Sequence, residues 1–318
     1  MDTGFDLKRA LAFLQLCGIA YDDQLSQMPI NIADGKTITN WQAGSWECVW
    51  GPVLNTKRGN LALIAKFTPT GAANSPTYVV TIRGTDLSTK SSRWWSDDYQ
   101  LDEDLFIGER KPFPGSDPER EILIADGTYL GLSTINQLVS NGMTITQFLA
   151  QELENHAGPP PTVAITGHSL GGCLTTVFSL TLFDTLKQQG IVVNPMPCTF
   201  AAPTAGNLVF AKFYDHWLPA AGRFHNTLDA IPYWWADLAA MPTLYNSSDF
   251  PFIAREFFDD MEGKIRKVPD QPYVQPANGA TALVGTEWLN KDWAEQVSFQ
   301  HHWTTYLGLL QTRIAASG

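Results

Sequence analysis

The sequence predicts an α/β fold, with a central, mostly parallel sheet flanked on both faces by helices. Short β-branched or apolar runs alternate with stretches of helical spacing, the pattern of crossover-linked parallel strands. One such run, Thr162–Thr166, leads straight through a glycine-rich turn into a helix. The 318 residues contain no internal repeat, low-complexity tract or long Pro/Gly/Ser linker, so 1–318 reads as one domain.

Taken in order, the chain opens with an apolar segment, Ala10–Ala20, behind Lys8-Arg9. It has the length of a secretory signal core, but Asp2 and Asp6 spoil the leading region and Tyr21-Asp22-Asp23 is a poor cleavage site. An amphipathic first helix is the better reading, and localisation stays open. Trp46–Trp50, Leu61–Phe67 and Thr77–Ile82 read as strands, the last ending at Arg83-Gly84-Thr85-Asp86. Residues 87–120 are polar and irregular, and 126–155 return to helical spacing. The strand at 162–166 and its helix follow, then short strands at Cys198–Ala202 and Arg223–Asn226. The region 236–285 reads as an elaborated loop with its own hairpin, and Trp303–Leu310 as a helix.

Composition excludes more than it nominates. A net charge of −11 opposes nucleic acid and strong attraction to an anionic membrane, while leaving neutral or emulsified substrates open. No run approaches the roughly 20 apolar residues of a transmembrane helix. Cys17, Cys48, Cys173 and Cys198 form no CxxC pair and no metal-ligand spacing, so they read as buried thiols. No metal and no cofactor is expected. Trp217, Tyr233, Trp234 and Trp235 suit either an apolar cleft or the core.

The chemistry concentrates at Gly167-His168-Ser169-Leu170-Gly171. Gly-x-Ser-x-Gly is common by chance, but here it sits between a strand and a helix, where a sharp turn exposes a strained serine. Side chains at the flanking glycines would clash with neighbouring elements. The helix that follows aims its N-terminal amides at the reacting centre. A serine hydroxyl needs a base to take its proton and an acid to orient that base. For a nucleophile in this setting the chain order is Ser, then Asp or Glu, then His. Of six histidines only His301 and His302 come late enough. Asp229 stands three residues past a late strand with Pro232 behind it; Asp237 and Asp249 are fallbacks.

These residues resemble the class 3 lipases, the fungal-type family of the α/β-hydrolase fold. The landmarks, in order, are Val80–Thr85, Gly167–Gly172, Thr199–Asn207 and His225–Pro232, closed by a C-terminal His with Tyr306-Leu307. The likeness runs from about residue 8 to 312. It implies an ester hydrolase, a triacylglycerol lipase or esterase with Ser169, Asp229 and His301 as its triad. The backbone amides of Thr85 and Leu170 would form the oxyanion hole. It also implies a lid, for which Trp94, Trp95 and Asp97 match a Trp-x-x-Asp pattern in a longer, more acidic segment at about 87–120. The family register, with a hydrophobic residue two after His and Tyr five after, favours His301; a four-residue offset to Tyr306 selects His302. Phospholipase A1 and feruloyl esterase activities share these residues, and a hydrolase-fold binding protein is the non-enzymatic alternative.

Overall fold

The computed structural model describes residues 5–22, 38–55, 59–71, 75–85, 109–154, 156, 158–246, 255, 259, 263 and 272–317. Trp94, Trp95, Asp97 and most of the 87–120 segment lie outside them, as does Asp249.

Among the described residues the main sheet has seven strands in chain order: β1 (Gly44–Leu54), β2 (Leu61–Pro69), β3 (Thr77–Ile82), β4 (Thr162–His168), β5 (Asn194–Phe200), β6 (Gly222–Asn226) and β7 (Ala280–Leu283). The first two pairings are antiparallel, and every pairing from β3 to β7 is parallel. The helices are α1 (Leu7–Ala20), α2 (Asp126–Gln137), α3 (Ile145–Glu154), α4 (Leu170–Gln188), α5 (Leu208–Trp217), α6 (Trp293–His301) and α7 (Trp303–Ser317).

Alternation along the strands divides the core into two layers. Tyr78, Val80, Ile82, Val163 and Ile165 face α2, α3 and α4. Val79, Ala164, Cys198, Phe200 and Phe224 face the other way, against α1 and α7. Because β3 and β4 have a helical layer on each side, nearly every residue in them is buried. Helix α4 is buried all round through its first turns, so its sequence shows little amphipathic contrast. Gly18 lets α1 approach α7 closely: a Cβ there would lie 2.7 Å from the Trp303 ring.

One sequence expectation changes and one stays open. The 236–285 region, expected to carry its own hairpin, lies largely outside the described residues between 247 and 271. It gives a short 3-10 helix at Leu238–Thr243, then β7, which pairs in parallel with β6 from Arg223↔Ala280 to Asn226↔Leu283. Strand β5 begins at Asn194, not at Cys198. Pro195 and Pro197 disguise its start, and they are tolerated because β6 joins only from Cys198 onward. Among the described residues no helix is long and apolar enough to cross a membrane.

Candidate active site

The parallel register aligns the carboxyl ends of the strands. Ile82 pairs with Gly167, Gly167 with Thr199, and Thr199 with Arg223. The segments leaving those ends therefore meet: 83–85 after β3, the Ser169 turn after β4 and 227–232 after β6. Crevices at the carboxyl ends of such sheets are where open α/β folds place their chemistry.

Ser169 is held at φ 60°, ψ −131°, outside the regions an L-residue prefers, at a cost of about 1–3 kcal/mol. Close packing holds it there. A Cβ on Gly167 would lie 2.2 Å from the Gly171 carbonyl carbon, and one on Gly171 would lie 2.2 Å from the Ile82 carbonyl oxygen. The Ser169 amide donates to the Phe200 carbonyl at 3.0 Å, while its own carbonyl accepts from Gly172 at 2.9 Å and starts α4. At that helix start the Leu170 amide has no intrahelical acceptor.

The elbow, α6 and the loop after β6 bring three side chains into line. Ser169 Oγ lies 2.8 Å from His301 Nε2, and His301 Nδ1 lies 2.9 Å from Asp229 Oδ2. The carboxylate only accepts, so Nδ1 carries the proton and Nε2 accepts from the serine hydroxyl. Ser169 and His301 are 7% and 5% exposed and Asp229 is fully buried, so the chain of hydrogen bonds is shielded from competing water. Asp229 has two further donors: Tyr306 Oη at 2.6 Å to Oδ2 and the Ile231 amide at 2.9 Å to Oδ1. Burial, reinforced by the neighbouring carboxylate, pushes the Tyr306 phenol well above its usual range and keeps it a donor.

His302 is not part of this line. It is exposed, and its Nδ1 lies 2.7 Å from Thr304 Oγ1 and accepts from the Thr304 amide at the start of α7. The fallback Asp237 caps the 3-10 helix through the Ala240 amide. Gly84 packs directly on the elbow, where a Cβ would lie 3.1 Å from Ser169 Cβ, and Thr85 is the next residue in the chain. The Thr85 hydroxyl is buried and makes no hydrogen bond among the described residues. No group of three or more His, Cys, Asp or Glu side chains among them could hold a metal.

The four aromatics separate. Trp234 and Trp235 are core and Tyr233 packs half-buried against it, whereas Trp217 is exposed and borders a cavity of about 830 Å³. That cavity is lined by Leu180, Phe183, Phe213 and Lys187, at the end of α4 opposite Ser169, and so is remote from the serine. His168, too early in the chain to be the base, and Tyr306, known from the sequence only as a register mark, both pack on His301 or its partner carboxylate. Tyr21, from the end of α1, also reaches the elbow and carried no sequence signal.

Comparison with known proteins bears on the family and the fold. The family described as Lipase (class 3) matches residues 79–237, half of the chain. The crystal structure of M37 lipase is similar over 97% of this chain and 93% of its own, with 25% identity and a TM-score of 0.75. A Rhizomucor miehei triacylglyceride lipase (17% identity, 71% and 72% covered, TM-score 0.50) shares the fold. So does a mutant form of MDLA from Penicillium cyclopium (14% identity, 88% and 81% covered, TM-score 0.51). No curated protein matches the sequence significantly. The matched family region contains most of β3, the elbow and the 227–232 loop, and by that match the chain belongs to the class 3 lipases, a family of ester hydrolases on the α/β-hydrolase fold.

Proposed function

We propose that this protein is a triacylglycerol lipase or esterase that works through a Ser169–His301–Asp229 triad and an acyl-enzyme. The observation that carries the reading is the buried Asp229–His301–Ser169 hydrogen-bond chain, which ends at a strained serine on a helix N-terminus. Ser169 Oγ attacks the ester carbonyl carbon as its proton passes to His301 Nε2. The carbonyl oxygen becomes an oxyanion, held by the amides of Leu170 and Thr85. The Thr85 hydroxyl, which has no other partner among the described residues, adds a third donor. Losing one such donor typically costs roughly 3 kcal/mol of transition-state stabilisation. Collapse breaks the ester bond, and the alcohol leaves with the proton from His301. Water then gives its proton to His301, attacks the acyl carbon and releases the acid, returning the proton to Ser169. Asp229 stays ionised throughout and stabilises the imidazolium. No step requires a cofactor.

The test is labelling with a fluorophosphonate, followed by hydrolysis of p-nitrophenyl esters from C2 to C16, emulsified triglyceride and phospholipid. Wild type is expected to label and to turn over long-chain ester and triglyceride, and Ser169→Ala to do neither. A folded wild type that fails to label would leave only a hydrolase-fold binding protein. Strict preference for C2–C4 with no response to emulsion would remove the triglyceride assignment, and preference for phospholipid would reassign the substrate.

A further inference from the structure

His301 is the last residue of α6, and the final carbonyls of a helix have no partner within it. Two buried side chains take them up. Asn226 Nδ2 donates to the Gln300 carbonyl at 3.0 Å, and His168 Nε2 lies 2.8 Å from the His301 carbonyl. A carbonyl only accepts, so His168 Nε2 carries the proton and donates. In the neutral ring Nδ1 is then an acceptor, and Tyr21 Oη donates to it at 3.0 Å. The His168 ring also lies against the His301 ring, with centroids 4.8 Å apart. The groups facing it are Tyr21 at the end of α1, His301 of α6, His302 beyond it and Tyr306 of α7.

We infer that His168 is a positioning residue: it ties the backbone of the base to the backbone beside the nucleophile, and Tyr21 holds it in the tautomer that can do so. The inference rests on His301 being the base. Its chemical point lies in the second half-reaction. While Ser169 is free, its own hydrogen bond helps to place the imidazole. Once Ser169 is acylated that bond is gone, and the base must be held for water by its other anchors. Those are Asp229 on Nδ1 and His168 on the main chain. Burial, and next the adjacent His301, keep His168 well below the usual histidine range. The strut therefore stays neutral and does not compete for the proton that His301 carries.

The experiment is stopped-flow hydrolysis of a p-nitrophenyl ester by wild type, His168→Phe, His168→Gln, Tyr21→Phe and the His168→Phe/Tyr21→Phe pair, with thermal melts. His168→Phe keeps an aromatic ring and removes the donor. It is expected to lower kcat roughly 10- to 100-fold, since small misplacements of a catalytic group carry penalties of that size, with KM falling alongside it so that kcat/KM changes much less. Deacylation should slow more than acylation, giving a p-nitrophenol burst close to one per enzyme. His168→Gln, which keeps a side-chain N–H, should recover part of the loss. Tyr21→Phe should cost roughly 3- to 10-fold alone and little more in the His168→Phe background, because both act through one strut. An unchanged kcat in His168→Phe, a fall in kcat/KM as large as the fall in kcat with no burst, or multiplicative losses in the pair would each overturn the inference. If His168→Phe does not fold, Tyr21→Phe decides alone, and an unchanged kcat sinks the strut. His301→Ala separates the two levels. Turnover surviving in it would remove His301 as base, whereas an inactive His301→Ala beside an unimpaired His168→Phe would remove only the strut.

Discussion

Tyr306 shows how much one hydroxyl can hold in place. Its Oη donates to Asp229 Oδ2 at 2.6 Å and accepts from the Asn226 amide at 2.9 Å, joining the acid to the end of β6. Tyr306→Phe removes both bonds and leaves the Asn226 N–H buried without that acceptor. The expected cost is about 1–3 kcal/mol of stability, with a fall in kcat of roughly ten-fold as the carboxylate loses one of its donors. Urea melts and initial rates check this, and a variant with unchanged stability and rate would show that the hydroxyl is idle. At this scale the sequence was informative where local rules are strong. Ser169 follows from the elbow's placement, and Asp229 from its position past a late strand. His301 and His302 stayed unresolved because they are neighbours, and which of them reaches Ser169 depends on where α6 stops. Tyr21 was invisible because only tertiary packing brings the end of α1 to the elbow.

Among the elements, α6 matters most to the site because it carries His301. It starts with a capping box: Asp292 accepts from the Glu295 amide at 2.8 Å, and the Glu295 carboxylate accepts from the Asp292 amide at 3.1 Å. Asp292→Ala is expected to lower stability by about 1 kcal/mol while leaving kcat at low temperature nearly unchanged. The His301 end of the helix is anchored separately, by Asn226 and His168. Calorimetry with rates at two temperatures tests the separation, and a large kcat loss in the cold would contradict it. Strands β1, β2, β3, β4 and β6 were legible as apolar or β-branched runs. Helix α6 was not, because its buried face uses Gln296 and Gln300 where an apolar stripe would be expected. Both glutamines are committed to main-chain carbonyls, Gln296 to Trp288 and Gln300 to Thr286. Strand β7 was hidden for a related reason: it is four residues long and joins the sheet after a long excursion.

For the molecule as a whole, burial of histidine contributes to the acid limb of stability. His225 in β6 is pushed down to about 4 by burial, with the nearby Arg223 acting in the same direction, and His168 is depressed in the same sense. Between pH 6.5 and 4 the unfolded chain takes up protons that folded His225 refuses, so stability is full above that window and falls as pH drops through it. The His225 share is at most about 3 kcal/mol. Thermal midpoints measured from pH 7 to 4 should fall, and His225→Gln should flatten that limb; an equally steep limb in the variant would assign the loss to other groups. The two-sided layering of the fold was readable from alternating strand and helix signals. The antiparallel joining of β1 and β2 was not, since it depends on which strand edges remain free.

Strand order that follows chain order also sets a timetable. Ser169 and His301 lie 132 residues apart in the chain. At about 5–20 residues per second, a ribosome delivers the serine roughly 7–26 s ahead of the histidine. Throughout that interval the nascent elbow has a hydroxyl with nothing to deprotonate it, and so no hydrolytic power. If His301 is the base, as proposed, the order in which the residues emerge keeps the nascent chain inactive until α6 has been made.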